Sequence, residues 1–320
     1  MDSLLWHLLD PLLAALVLGL GWAAVSARDL RRSVVHFIAF GLLLAIVWAR
    51  LAAPDLALAE AAIGAGLSGA LLLGALRDEP ETTDYADAIP GHVSIPMSLF
   101  CLALGALLAW VVWHTLGFAD PVRMADRILD ELPATGVSNP VTAVLLNFRA
   151  YDTLLELAVL LAAVLGILAL GPARAAGSSP GVLFNGLLSW LVPLLLLTAA
   201  YLLWAGAHAP GGAFQAGALL AAAAVMLRLG GFGDDKLSRP LLLRLVLTSG
   251  VAAFLTVGLA TTIGGRAFLE YPQAWSGALI FFIETAAMLA IAATLALAYL
   301  GGRPARWEMP SAGDTARGHL

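Results

Sequence analysis

The chain has 320 residues, of which 61% are hydrophobic and only 12% are charged, and its mean hydropathy is +0.90. Soluble proteins carry about 25% charged residues, whereas this chain contains apolar runs of about 20 residues, the length that crosses a roughly 30 Å hydrocarbon layer. These properties exclude a soluble globular protein, and in such a chain the formal net charge of −5 matters less than the positions of the basic residues.

Windows of about 19 residues predict the membrane-spanning segments. In chain order they lie near 4–26, 33–52, 56–76, 96–117, 151–171, 182–204, 212–230, 240–262 and 277–300. No ten-residue alternation of apolar and polar positions is present, so helices rather than a barrel are expected. The sequence therefore predicts an all-α, polytopic membrane protein with about nine transmembrane helices.

One flexible connection divides the chain nearly in half. The stretch GPARAAGSSPG (171–181) is rich in small residues and lies between two hydrophobic blocks. It predicts a membrane domain at 1–172, a linker at 173–181 and a second membrane domain at 182–302. The polar tail 303–320 is rich in glycine and proline, and we expect it to be disordered and cytoplasmic.

The basic residues predict the orientation. With the N-terminus outside and the C-terminus in the cytoplasm, the outside segments hold only Arg123, Arg127 and Arg266. The inside segments hold a much larger set: Arg28, Arg31, Arg32, Arg77, Arg174, Lys236, Arg239, Arg303, Arg306 and Arg317. The positive-inside rule favours this arrangement.

The third predicted span carries the first polar cluster at membrane depth. Asp55 stands at its start, where a helix cap is the favoured interpretation. Glu60 lies more than one turn inside, and Gly64 follows it on the same face and permits close helix approach. An ionisable group inside a membrane costs at least about 2.5–3.5 kcal/mol, so Glu60 is a candidate for an ion pathway, with a structural hydrogen bond as the alternative.

A second cluster precedes and enters the fifth predicted span. Arg149, Asp152 and Glu156 stand at i, i+3 and i+7, which forms one stripe on a helix. A structural ion network near the interface and a proton or cation path are both consistent with this pattern.

The remaining candidates lie in the second half of the chain. In HAPGGAF, His208 supplies an imidazole, the side chain most often used for proton exchange, and Gly211 and Gly212 allow another backbone to approach. His208 is a candidate for proton exchange, with an interfacial cap as the alternative. Glu284 lies about two turns inside the last span without a basic neighbour in sequence, and it is a further candidate for the ion pathway.

No sequence signature of an enzyme is present. The chain has no phosphate loop, nucleophile elbow, zinc helix motif or dinucleotide fingerprint. Its single cysteine, Cys101, cannot form an intramolecular disulfide or a cysteine-based metal site. We therefore expect a protein that is not an enzyme and has no cofactor, no metal and no nucleic-acid partner.

Three motifs resemble the Mrp-type multisubunit cation/proton antiporters. APDLALAEAAIGAGLSGALLL resembles the MbhD-type segment in the C-terminal region of MrpA, and NPVTAVLLNFRAYDTLLELAVLLAAVLGILAL resembles the MbhE-type segment that follows it. AHAPGGAFQAGALLAAAAVMLRL is similar to the MrpB signature. Asn147 replaces the family's aspartate and Ala213 replaces its third glycine, while Glu284 stands where the family has an aspartate.

The resemblance implies a subunit of a Na⁺/H⁺ antiporter in the inner membrane, formed by fusion of an MrpA C-terminal region with MrpB. It implies large antiporter-like partners related to respiratory complex I and small MrpC-, MrpE-, MrpF- and MrpG-like partners. A cation pathway through Glu60 and Glu156 follows from the same resemblance. The alternatives are a membrane-arm subunit of an energy-converting hydrogenase or complex-I-like enzyme, and a purely structural scaffold.

Overall fold

The computed structural model describes residues 2–76, 95–116, 124–170, 181–232 and 240–301. Most of the predicted linker, the predicted tail and many of the arginines used for the orientation lie outside these ranges.

Within them the chain is helical and contains no strand. In chain order the helices are α1 (Asp2–Ser26), α2 (Leu30–Arg50), α3 (54–75), α4 (Ile95–Leu116), α5 (Met124–Glu131), α6 (Pro140–Ala143, continued by a π-helical turn at Val144–Phe148), α7 (Ala150–Ala169), α8 (Val182–Ala205), α9 (Ala213–Leu229), α10 (Pro240–Ile263) and α11 (Ser276–Leu300).

The membrane-spanning prediction is confirmed. In the described part of the chain, eight helices are long and apolar enough to cross a membrane, and α9 is a shorter apolar helix of 17 residues. The sequence does not predict the helices α5 and α6. They lie between the fourth and fifth predicted spans, and the segment that joins them contacts the second half of the molecule.

The first three helices pack in sequence order, α1 on α2 and α2 on α3. Small residues set the distance between α2 and α3: a Cβ at Gly41 would lie 3.1 Å from the Cβ of Ala65, which is almost fully buried. The middle of α3, Glu60–Leu67, is π-helical. Such wide turns inside an α-helix are rare and occur frequently at functional sites.

The second half of the molecule is built around α9, which packs between α8 and α11. Six of its eight buried residues are alanine or glycine, and a Cβ at Gly217 would lie 2.8 Å from the Cγ2 of Ile291. Close approach of this kind replaces the hydrophobic driving force that is absent between helices in lipid. Phe254, Ile280 and Ile283 are fully buried where α10 and α11 meet α7.

The two predicted membrane domains meet at two places: α7 packs on α10 and α11, and α3 contacts α9 and α11. In contrast, α4 is exposed along its whole described length, from Ile95 to Thr115.

Candidate functional site

Asp55 lies at the contact between the two halves. It is only 7% exposed, and its Oδ1 accepts hydrogen bonds from the Gly211 backbone N–H and from the Asn139 side chain, both at 3.2 Å. The side-chain amide of Gln215 donates to the Asp55 backbone carbonyl at 3.1 Å. The start of α3 is therefore bonded to the start of α9.

The cap predicted at Asp55 is not formed. Helix α3 begins at Pro54, with Ala53 as the preceding residue and no side-chain cap. Asp55 is the second helical residue, and its carboxylate turns away from its own helix to Asn139 and Gly211 because both supply N–H donors there. Asp55 therefore joins segments of the chain rather than capping the N-terminus of α3.

Asn139 joins a third segment to this contact. Its Oδ1 accepts from the Val141 N–H at 2.9 Å and caps α6, while its Nδ2 donates to the Ala209 carbonyl at 3.0 Å as well as to Asp55. The Ala207 carbonyl accepts from the backbone N–H groups of Ser138 and Asn139. The segment before α6 is thus bonded to the turn before α9.

Glu284 reaches the same helix start from α11. It is 3% exposed, and the backbone N–H of Ala213 donates to its carboxylate. Among the described residues, its Oε2 is buried without a hydrogen-bond partner. Two buried acids from different halves therefore contact the N-terminus of α9, where free N–H groups and the helix dipole attract negative charge.

The two glycines before α9 make this arrangement possible. Gly212 has φ of +115°, which L-residues rarely adopt, and a Cβ there would lie 3.0 Å from the Oε1 of Glu284. A Cβ at Gly211 would collide with the Leu202 carbonyl. Both glycines therefore act through close backbone approach.

His208 lies on the rim of an open cavity of about 400 Å³ beside Asp55. Its Nδ1 is 3.1 Å from the Ser138 hydroxyl, and its ring meets Trp204 edge-on with centroids 6.4 Å apart. The ring is exposed. His208 therefore joins the group through the cavity, while Gln215, seven residues further along the chain, donates to the Asp55 backbone carbonyl.

Glu60 is half-buried and stands apart from this group. Its carboxylate lies over Gly64, where any Cβ would collide with it, so the glycine provides the space that the acid occupies. Within the described residues no hydrogen bond or ion pair joins Glu60 to Asp55 or Glu284. Its position in the π-helical part of α3 is the feature that distinguishes it.

The predicted stripe on α7 is present in part. Arg149 lies in the non-helical break before α7, with φ −126° and ψ 34°, and its Nε donates to Asp152 at 2.6 Å. Glu156, one turn beyond Asp152, is exposed on the helix surface. This second group is separate from the cluster at α9, so the structure does not bring all predicted pathway residues together.

Two residues of the site, Asn139 and Gln215, are not among the candidates that the sequence predicts. Asn139 is followed by proline, and asparagine before proline at the first helical position is a helix-start signal. That signal predicts the cap but not the contact with Asp55, which is 84 residues away in sequence. Nothing in the sequence distinguishes Gln215 from an ordinary interfacial glutamine.

Two family models match the chain. Residues 15–81 match MbhD, the D subunit of MBH, and residues 183–302 match the domain related to the MnhB subunit of Na⁺/H⁺ antiporter. A probable A/B subunit of a K⁺/H⁺ antiporter from Rhizobium meliloti (strain 1021) is 29% identical, over 65% of this chain and 25% of that protein. The chain thus spans about a quarter of the length of this relative.

Two solved structures share the fold. A chain of the Mrp complex from Dietzia sp. DQ12-45-1b matches with a TM-score of 0.69 and 24% identity, over 93% of this chain and 35% of that chain. A chain of the membrane-bound sulfane sulfur reductase, an archaeal respiratory membrane complex, matches with a TM-score of 0.53 and 23% identity, over 65% and 97%. The two family models therefore show that the chain joins an MbhD-type segment to an MnhB-related segment, and the solved structures show its fold.

Proposed function

We propose that this chain is a membrane subunit of a multisubunit monovalent cation/proton antiporter. It contributes to the ion path and to the assembly of the complex with large antiporter-like subunits and small MrpC-, MrpE-, MrpF- and MrpG-like subunits. The family matches support this function, and one structural observation carries it: Asp55 and Glu284, buried acids from the two matched domains, contact the same helix start.

The chemistry of such a path follows from the surroundings of the acids. A carboxyl group at membrane depth is tolerated when it carries a proton, pairs with a cation or meets water. Glu60, Glu156 and Glu284 lie within spans and are the proposed stations, and Asp152 and Arg149 hold one end of the path near α7. His208, exposed beside the cavity, is the proposed site of proton exchange with water.

Glutamine substitutions test this proposal in the complete complex. Glu60→Gln, Glu156→Gln and Glu284→Gln keep the shape of the protonated acid but cannot release a proton or offer a full charge to a cation. Interactions with charged groups contribute about 1.5–3 kcal/mol, so each variant is expected to assemble while exchange falls at least about tenfold. Exchange is measured in everted vesicles and normalised to the amount of intact complex, with Na⁺ and K⁺ tested separately.

Glu270→Gln is the matched control. Glu270 is exposed between α10 and α11, where it pairs with Arg266, so its loss is expected to leave exchange unchanged. Full exchange by all three span variants would contradict the ion-path role, and loss of assembly would assign these acids to structural contacts.

The second candidate is a component of a redox-driven membrane complex, because the fold is shared with a chain of an archaeal respiratory complex. The proteins that co-purify in mild detergent separate the two candidates. Antiporter-like proteins are expected, and an iron–sulfur protein or a hydrogenase large subunit would favour the redox complex.

We further propose insertion in the inner membrane with the N-terminus outside. In that orientation the cavity beside Asp55, the turn before α9 and the α10–α11 connection all face outward. A cysteine at Ala125, exposed on α5, is expected to react with an impermeant reagent in intact cells. If the cysteine reacts only after permeabilisation, the N-terminus is in the cytoplasm and the proposed orientation is wrong.

A further inference from the structure

The cavity beside Asp55 has walls from three segments that are distant in sequence. They are the start of α3, the start of α6 and the turn before α9, represented by Ala53, Asp55, Asn139, Val141, His208 and Ala209. Its volume is about 400 Å³, room for about thirteen waters at about 30 Å³ each. A hydrated ion therefore fits between the two matched domains.

One acidic side chain lines this cavity. Asp55 is only 7% exposed, and its two side-chain hydrogen bonds both end on Oδ1. Neither of these bonds uses Oδ2. Among the described residues, no arginine, lysine or histidine forms an ion pair with Asp55.

A buried carboxylate without a basic partner is costly unless another positive charge compensates it. The neutral donors Gly211 N–H and Asn139 Nδ2 satisfy one oxygen but bring no full positive charge. A cation in the cavity, bound to the other oxygen and to water, supplies that charge. Carboxylate and water oxygens are the ligands that hard cations prefer.

The cation class follows from the number of acids. Divalent sites with high affinity gather several carboxylates, but the described residues contain no group of three or more His, Cys, Asp or Glu residues that could hold a metal ion. A single carboxylate with neutral oxygens and room for retained water matches one positive charge.

We propose that the cavity is a binding site for a hydrated monovalent cation, Na⁺ or K⁺, with the Asp55 carboxylate as its charged ligand. The choice between these ions and protons rests on the proposed antiporter function, but occupancy of the site does not require transport. The site is formed only when the start of α3, the segment before α6 and the turn before α9 are in contact, because Asn139 and Gly211 hold the carboxylate in place.

A cysteine reporter inside the cavity tests the proposal in the purified full-length complex. The native Cys101 is exposed and is first replaced by alanine. Val141→Cys then places a thiol on the cavity wall, where Val141 is 38% exposed. The rate of maleimide labelling is measured with NaCl, KCl or N-methylglucamine chloride at constant ionic strength.

A bound cation with its water is expected to slow labelling of this thiol. At a concentration about ten times the Kd only about one site in eleven stays empty, so the rate falls up to about tenfold and saturates with concentration. Ala274→Cys, exposed between α10 and α11 and away from the cavity, is the control and is expected to label at one rate in all three salts.

Asp55→Asn identifies the ligand. Asparagine keeps an oxygen that accepts from Gly211 and Asn139 but has no charge, so the cation dependence is expected to disappear while the complex stays intact. Glu270→Gln, which removes an exposed carboxylate away from the cavity, is expected to retain it.

If Na⁺ and K⁺ do not change the labelling rate of the Val141→Cys thiol, the proposal is overturned. This outcome does not depend on whether the Asp55→Asn variant assembles. Protection that survives Asp55→Asn overturns the assignment of the ligand. Neither readout uses exchange activity. A complex that does not transport Na⁺ or K⁺ can therefore still show the binding site, and a complex that transports them without protecting the thiol from labelling does not have it.

Discussion

Acidic side chains at membrane depth occupy two different environments in this protein. At the α3–α9 contact, Asp55 and Glu284 are buried and their hydrogen bonds come from other segments of the chain. On α7, Asp152 pairs with Arg149 three residues away, and Glu156 is exposed on the helix surface. The hydrogen bonds of the first environment come from this chain, whereas the second presents charge outward from a helix that is long and apolar enough to cross the membrane.

The two environments differ in what holds the acidic side chain in position. Burial by the chain's own helices fixes the position of an acid before any partner binds, because the bonds to it come from packed segments. An exposed acid in a span needs a neighbouring protein or water to be tolerated. Substitutions at the α3–α9 contact are therefore expected to affect the isolated chain, and substitutions on α7 chiefly the assembled complex.

The largest effect on stability is expected from Asn139→Ala. The substitution removes the cap of α6 and the donor to both Asp55 and the Ala209 carbonyl. A lost cap costs about 0.5–2 kcal/mol and a buried group left without its partner about 1–3 kcal/mol, so a loss of about 2–4 kcal/mol is expected. The free energy of unfolding in mild detergent measures it.

Ser138→Ala is the control for this prediction. Ser138 is exposed and its hydroxyl contacts the His208 ring, while its backbone N–H bond to Ala207 is retained in the variant. A change below about 1 kcal/mol is expected. Equal unfolding of both variants would mean that the bonds of Asn139 do not hold the two halves together.

A smaller effect is expected from Gly212→Ala. Alanine is strained at φ +115°, and its Cβ would lie 3.0 Å from the Oε1 of Glu284. A loss of about 1–3 kcal/mol in the free energy of unfolding is expected from strain and crowding, together with reduced exchange because Glu284 is displaced.

Gly265→Ala is the control that separates backbone strain from the contact with Glu284. Gly265 also has positive φ, +78°, but a Cβ there has open space around it. The substitution is expected to cost about 1 kcal/mol and to leave exchange unchanged. Equal exchange by the two variants would show that the position of Glu284 does not matter.

The sequence predicts the helices well and their contacts poorly. Long apolar runs determine the spans because the bilayer imposes their length, and all nine predicted segments correspond to helices in the described residues. The sequence places Asp55 as the cap of its own helix, but donors from Asn139 and Gly211 turn it to the other half. Such contacts depend on packing between distant segments, which local sequence patterns do not encode.

The sequence likewise predicts some residues of the candidate site but not the contacts between them. The sequence marks Gly211 and Gly212 as positions of close backbone approach, since glycine tolerates what a side chain would obstruct. It marks Glu284 as an acid inside a span, but not its contact with the start of α9. The spacing of Arg149 places it on a helix, although the backbone breaks there.

The smallest effect on the isolated chain is expected from Arg149→Gln. Arg149 and Asp152 are 71% and 45% exposed, and exposed ion pairs contribute about 0.2–1 kcal/mol. The free energy of unfolding of the isolated chain is therefore expected to fall by less than about 1 kcal/mol. The same small change is expected for Arg266→Gln, which removes the exposed pair with Glu270. In the proposed complex, a neighbouring protein over α7 would withdraw the pair from water, and removing one partner of a buried pair costs about 3–5 kcal/mol. Arg149→Gln is thus expected to lower recovery of intact complex in detergent, whereas Arg266→Gln is not.

A loss above about 2 kcal/mol in the free energy of unfolding of the isolated Arg149→Gln chain, more than an exposed pair supplies, would contradict the comparison. The charges on α7 would then be held within this chain as firmly as Asp55 and Glu284.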